Sequence, residues 1–89
     1  MSPSALIPRR DILDMLRHCA PGHSVEEKLH HLWVRYQGRT YRALPLGERG
    51  DRRGHVESGT VRQMVLHLNI NPTCAQAELP ILRLQVERA

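Results

Sequence analysis

The chain has 89 residues and a net charge of +4, and 40% of its residues are apolar, including one tryptophan, two tyrosines and no phenylalanine. This length holds a single domain, whose core must be built from aliphatic side chains. Twelve of the thirteen basic residues are arginine, whose planar fork suits phosphate groups, so a polyanionic partner is favoured.

A helix is predicted over about residues 9–19, after a lead at residues 1–8 that contains proline and serine. Apolar residues recur with helical spacing at Ile12, Met15, Leu16 and Cys19. Pro21 and Gly22 then end the helix.

A β-hairpin is predicted from residues 29–36 and 39–46, because both runs are rich in aromatic and β-branched residues and Gln37-Gly38 between them is typical of a two-residue turn. In strict pairing, position 34 faces 41, position 32 faces 43 and position 30 faces 45. The packing face then consists of Leu32, Val34, Tyr41 and Ala43. The opposite face consists of His31, Trp33, Arg35, Thr40 and Arg42. Residues 23–28 are a candidate third strand.

A glycine-rich charged loop is predicted over residues 45–59, followed by a second helix. The sequence Thr60-Val-Arg-Gln63 matches a capping box, and the helix presents an apolar stripe of Val61, Met64, Val65 and Leu68. Asn69 to Pro72 ends it, and residues 73–79 form one or two further turns before Pro80. This order predicts an α+β domain over residues 9–72, with helices on one face of a small antiparallel sheet, and a C-terminal extension at 73–89.

The two cysteines, Cys19 and Cys74, form no CxxC pair, so the sequence predicts neither a disulfide framework nor a four-ligand zinc site. The N-terminus lacks the pattern of a signal peptide, and no apolar stretch is long enough to span a membrane. We therefore expect a reducing, cytoplasmic setting and no membrane contact.

The hairpin region is the candidate for chemistry on RNA. Seven arginines and three acidic residues lie between Arg35 and Arg62, a balance equal to the whole net charge of +4. His30 and His31 open the first hairpin strand, and histidine suits the proton transfers that cleavage through a 2′-hydroxyl needs. An ordinary role as polar strand residues is the alternative for both. The candidate RNA-binding residues are Trp33, which can stack on a splayed base, and Arg35, Arg39, Arg42, Arg52 and Arg53.

A metal centre is the other chemistry that these residue types raise. Cys19, His23, His30 and His31 lie within thirteen positions, but their spacing matches no recognised ligand set. We therefore expect no metal and no cofactor.

Several motifs together resemble the HicA type of bacterial mRNA-cleaving toxin. They are His-His-Leu-Trp at 30–33, Gly-Arg-Thr-Tyr at 38–41, Leu-Pro-Leu-Gly at 44–47 and Gly-Thr-Val-Arg at 59–62, and the resemblance runs from about residue 9 to 72. It implies an α-β-β-β-α fold like that of double-stranded-RNA-binding domains, metal-independent endoribonuclease activity on mRNA, and neutralisation by a HicB-like antitoxin.

The resemblance also implies which histidine is catalytic. The family's histidine matches His30, although Lys28-Leu29 precedes it here instead of Gly-Ser. Strict strand alternation, in contrast, places His31 on the basic face, so His31 is the second candidate.

Three functions follow from this surface. The leading hypothesis is an endoribonuclease toxin that holds the RNA backbone with its arginines. The second is a non-catalytic RNA-binding module on the same fold, and the third is a regulatory domain whose arginine loop contacts an acidic protein. Association of the chain into a homo-oligomer is a further alternative.

Overall fold

The computed structural model describes residues 5–29, 31–45 and 54–84. In chain order these form β1 (Leu6–Pro8), α1 (Arg9–Cys19), β2 (Ser24–Glu27), β3 (His31–Tyr36), β4 (Arg39–Pro45), β5 (His55–Glu57), α2 (Ser58–His67), α3 (Pro72–Glu78) and a 3-10 turn (Pro80–Leu82). Every strand pair is antiparallel. The predicted α+β class is confirmed.

Helix α1 has the predicted bounds because its apolar residues form a single stripe. The buried residues of the helix are Ile12, Met15, Leu16 and Cys19. After the helix, Gly22 takes a φ of +88°, which a glycine adopts without steric cost. The chain can therefore reverse directly into β2.

Strands β2, β3 and β4 form a sheet in that spatial order. Gln37 and Gly38 both have positive φ, at +50° and +81°, the conformation of the type I′ turn that matches the twist of a hairpin. The two-residue turn is confirmed, as is the third strand, which lies at Ser24–Glu27.

The predicted register of the hairpin is correct near the turn and wrong beyond it. Val34 faces Tyr41 as predicted, but Leu32 faces Leu44 and His31 faces Pro45, with an irregularity between Leu32 and Val34. One extra residue on β4 is accommodated there, as in a β-bulge. Because of it, Leu44 is fully buried and Ala43 is exposed, so Ala43 does not belong to the packing face.

A second sheet of two strands was not expected from the sequence. Strand β1 pairs with β5, and Ile7 faces Val56, both of which are buried. The prediction of a loop throughout 45–59 is therefore wrong at its end, where His55–Glu57 is a strand. Residues 46–53 of that loop lie outside the described residues.

Helix α2 begins three residues earlier than predicted. Its N-cap is Glu57, which makes no side-chain cap hydrogen bond, so the capping box at Thr60 is wrong: Thr60 already lies inside the first turn. The predicted apolar stripe is correct, with Val61, Met64, Val65 and Leu68 all buried. Asn69, with a φ of +57°, ends the helix as expected.

Helix α3 confirms the helical turns predicted before Pro80. Asn71 caps it by accepting a hydrogen bond from the Cys74 backbone N–H at 3.1 Å. The helix is joined to α1 by a disulfide between Cys19 and Cys74, whose Cα atoms are 5.6 Å apart. The prediction of no disulfide is therefore wrong, because pairing depends on the tertiary packing of α1 against α3 and not on cysteine spacing.

One core joins these layers. Leu32, Val34 and Leu44 project from one face of the β2–β3–β4 sheet into the cluster that contains the buried stripes of α1 and α2. The same cluster includes residues on either side of the 9–72 segment: Ile7, Ala75, Leu79 and Leu82. The opposite, outer face of the sheet carries polar and charged side chains together with Trp33.

Candidate nucleic-acid interface

The outer face of the three-stranded sheet is arranged in rows that run across the strands. It carries Ser24, Glu26, Lys28, His31, Trp33, Arg35, Thr40 and Arg42. Register places Ser24, Arg35 and Thr40 in the row next to the hairpin turn, and Glu26 beside Trp33 in the next row. His31 lies at the far end of β3, opposite Pro45.

Trp33 lies between two cations. The Lys28 Nζ atom is 4.7 Å from the centre of the Trp33 ring, and the Arg42 guanidinium carbon is 4.9 Å from it. These cations come from opposite sides of β3, and both distances are within the range of a cation–π interaction. The half-buried indole is therefore in contact with a cation from each neighbouring strand edge on the outer face.

Glu26 is the acidic residue at the centre of this surface. Its carboxylate contacts Lys28 Nζ at 3.1 Å and Arg35 Nη2 at 3.2 Å. Both pairs are largely exposed, so they add little to stability. Since one carboxylate is shared by two cations, the group formed by these three residues keeps a net positive charge.

Arg39 lies apart from the other hairpin arginines. Its Nη1 donates to the His67 carbonyl oxygen at 3.1 Å at the end of α2, and the His67 Nε2 is 3.0 Å from the Thr40 carbonyl oxygen. The Tyr41 ring packs beside the His67 ring, and burial raises the pKa of Tyr41. Arg39 therefore fastens the hairpin to α2 on the packing side, and it does not share the face of Trp33 and Arg42.

Arg39 and Arg35 nevertheless meet at the end of the sheet. Both line a groove of about 320 Å³ beside the turn, the hairpin groove, together with Ser24, Gly38 and Thr40. The structure thus brings together His31, Trp33, Arg35 and Arg42 on the outer face and Arg35 with Arg39 in the hairpin groove. His30, Arg52 and Arg53 lie outside the described residues.

A second basic groove, the α1 groove, was not identified from the sequence. Its volume is about 410 Å³, and Arg17 in its wall is ion-paired with Asp14 at 2.9 Å. The remaining lining residues include Arg9, Arg10, Leu13 and Gly54. The signal that could have found it is the Arg9-Arg10 pair at the start of the helix.

Two of the four residues considered as metal ligands, Cys19 and His23, make other contacts. Cys19 is in the disulfide, and His23 Nδ1 is 2.9 Å from the Ala20 carbonyl oxygen. Within residues 5–29, 31–45 and 54–84, no three His, Cys, Asp or Glu side chains are grouped so as to hold a metal ion. In the same ranges, no helix has the length and apolar content to cross a membrane.

The fold and the surface define a small α+β domain with a basic, aromatic sheet face. The chain matches no family model, no curated protein and no solved structure. The resemblance to HicA-type toxins therefore rests on the sequence motifs alone.

Proposed function

We propose that this chain is a HicA-like endoribonuclease that binds mRNA on the outer face of its sheet. The observation that carries the proposal is the placement of Trp33 between Lys28 and Arg42, with Arg35 in the adjacent row. Proteins recognise unpaired RNA bases by stacking them on aromatic rings and hold the backbone with cations. The proposed likeness to double-stranded-RNA-binding domains is supported by the order α1-β2-β3-β4, followed by α2 after the short strand β5.

Cleavage is assigned to His30 and to His31, the first residue of β3. One removes the proton of a ribose 2′-hydroxyl, whose oxygen attacks the neighbouring phosphorus. The bond from phosphorus to the 5′-oxygen breaks, and that oxygen takes a proton, which leaves a 2′,3′-cyclic phosphate and a 5′-hydroxyl. His30 is the candidate from the family motif, and His31, exposed on the outer face, is the second.

RNA degradation by purified protein tests this assignment. We expect the native chain to cleave RNA. One of the two variants, His30→Ala or His31→Ala, should lose cleavage, and the variant that loses cleavage should still bind RNA. His55→Ala is the matched control, because His55 lies in β5 and not in the sheet that carries Trp33. Equal cleavage by the native chain and both hairpin variants would overturn the histidine assignment.

A non-catalytic RNA-binding module is the second candidate. The observation in its favour is that His31 is the one histidine on the outer face among the described residues, whereas cleavage uses both a proton acceptor and a donor. This candidate predicts salt-sensitive binding with intact RNA after long incubation. Cyclic-phosphate ends on the recovered RNA would exclude it.

The cellular context is part of the proposal. We propose that the protein acts in the cytoplasm and is neutralised by a HicB-like antitoxin that covers the outer face. A HicB-like reading frame beside the gene would support the toxin function, and its absence would favour the binding module. The Cys19–Cys74 disulfide is of a kind that is rare in the cytoplasm, so alkylation in intact cells tests the compartment. Free, alkylated thiols in the cell would support the cytoplasm, and a protected disulfide would overturn it.

A further inference from the structure

We propose that the hairpin groove binds a phosphate group of single-stranded RNA. This inference rests on the proposed function for the identity of its ligand. It adds a defined subsite to the general basic surface, and it excludes duplex RNA as the preferred substrate.

The groove offers a row of hydrogen-bond donors across all three strands. Ser24 faces Arg35, and Arg35 faces Thr40, so neighbouring Cβ atoms in the row are about 5 Å apart. A guanidinium with a hydroxyl on each side suits the several oxygens of a phosphate. Within the described ranges, neither hydroxyl has a hydrogen-bond partner in the protein.

Both guanidinium groups are held in place by contacts that leave other donors available. Arg35 uses Nη2 toward Glu26, and Arg39 uses Nη1 toward the His67 carbonyl oxygen, whereas each guanidinium has five N–H bonds. Among the described residues, no acidic side chain lines the groove. An anion in the groove therefore meets the charge of Arg39 and that of Arg35, which Glu26 partly offsets from outside the groove.

The position of Trp33 determines the class of RNA. Trp33 is two residues from Arg35 along β3, and therefore about 6.6 Å from the groove row. A nucleotide whose base stacks on the indole thus brings a phosphate within reach of the groove. Bases in a duplex are already stacked on one another and are not free to reach Trp33, so the pair of sites selects single strands.

A titration with inorganic phosphate tests the groove without RNA. We expect saturable NMR shifts at the Gly38 and Thr40 amides and the Arg35 Nε–H, measured against chloride at equal ionic strength. Arg35→Gln should weaken phosphate binding about tenfold or more, and Thr40→Val should weaken it less. Arg17→Gln is the matched control, because it removes one positive charge from the α1 groove instead of from the hairpin groove. Shifts that fail to saturate, or that persist in Arg35→Gln, would overturn the site.

A second titration identifies the source of the phosphate. The probes are a 2′-O-methyl RNA octamer with a 5′-phosphate, the same octamer with a 5′-hydroxyl, and its duplex, each followed by the fluorescence of Trp33, the one tryptophan. Tighter binding of the 5′-phosphate form supports a terminal phosphate. Equal binding of both single strands, weakened by Arg35→Gln, supports an internal phosphodiester.

The outcomes separate this inference from the proposed function. RNA binding that Arg35→Gln leaves unchanged, or that favours the duplex, overturns the groove as an RNA subsite and leaves the RNA-binding function standing. Saturable phosphate binding without any RNA binding supports the groove as an anion site and overturns the proposed function.

Discussion

The Arg42 guanidinium carbon lies 4.9 Å from the centre of the Trp33 ring, at the position where the hairpin register is irregular. Regular pairing would place Ala43 opposite Leu32. The bulge on β4 instead lets Leu44 enter the core while Arg42 stays on the outer face. The bulge therefore exchanges Ala43 for Leu44 in the core without moving Arg42 from its place beside Trp33, where regular pairing would also put it.

Loss of this cation is expected to weaken RNA binding more than loss of a cation elsewhere. Arg42→Gln should reduce the affinity for single-stranded RNA several-fold and lower the slope of log K against log salt concentration by about 0.7, the value for one phosphate contact to a single strand. Fluorescence titrations at several salt concentrations measure both. Arg17→Gln serves as the control, and an equal effect of the two substitutions would show that only net charge matters.

The bulge itself can be tested by two neighbouring substitutions on β4. Ala43→Lys should change the free energy of unfolding by less than about 0.5 kcal/mol, because the side chain points to solvent. Leu44→Ala should cost about 2–5 kcal/mol, because Leu44 is fully buried. Urea unfolding measures both. A strongly destabilising Ala43→Lys would instead support the regular register, in which Ala43 packs in the core.

The elements that the sequence predicted correctly are those encoded by local patterns. The stripe of α1 and that of α2 follow helical periodicity, and Gln37-Gly38 specifies a tight turn from two residues. The bulge was not predictable in this way, because Ala43 and Leu44 are both apolar and only the packed core distinguishes them. As a result, the outer face was predicted correctly while one residue of the packing face was not.

The features that the sequence did not predict depend on contacts between distant segments. The β1–β5 sheet joins Ile7 to Val56, and strands of three residues have little pattern of their own. The start of α2 follows from that pairing, since Ser58 donates its backbone N–H to the Ala5 carbonyl oxygen at 2.8 Å. Likewise, the separation of Arg39 from Arg42 requires knowledge of where α2 lies.

The Cys19–Cys74 disulfide should be a major contributor to stability. It closes a loop with a sequence separation of 55, for which the chain-entropy model gives about 4 kcal/mol. Reduction of the native chain, or Cys74→Ser, should therefore lower the urea midpoint markedly. Reductant should have no further effect on Cys74→Ser, which is the internal control. An unchanged midpoint on reduction would show that the apolar contacts of α3 suffice to hold it.

Alkaline pH should destabilise the fold through Tyr41. Burial raises the pKa of this tyrosine above its ordinary value of 10.0, which is the value expected in the unfolded chain. Its contribution to stability is therefore fully present below pH 10. As the pH rises above 10, the unfolded chain loses a proton that the native chain keeps, so stability falls. Urea unfolding at pH 8 to 11 measures this fall.

The difference between native protein and Tyr41→Phe isolates the contribution of Tyr41. The variant removes the hydroxyl and keeps the ring beside His67, so its stability should decline less than that of the native chain above pH 10. Tyr36→Phe, which retains Tyr41, should decline as the native chain does. Parallel curves for the native chain and Tyr41→Phe would show that the hydroxyl is hydrated in the folded protein, and the hairpin would then pack less closely against α2 than the Arg39 and His67 contacts indicate.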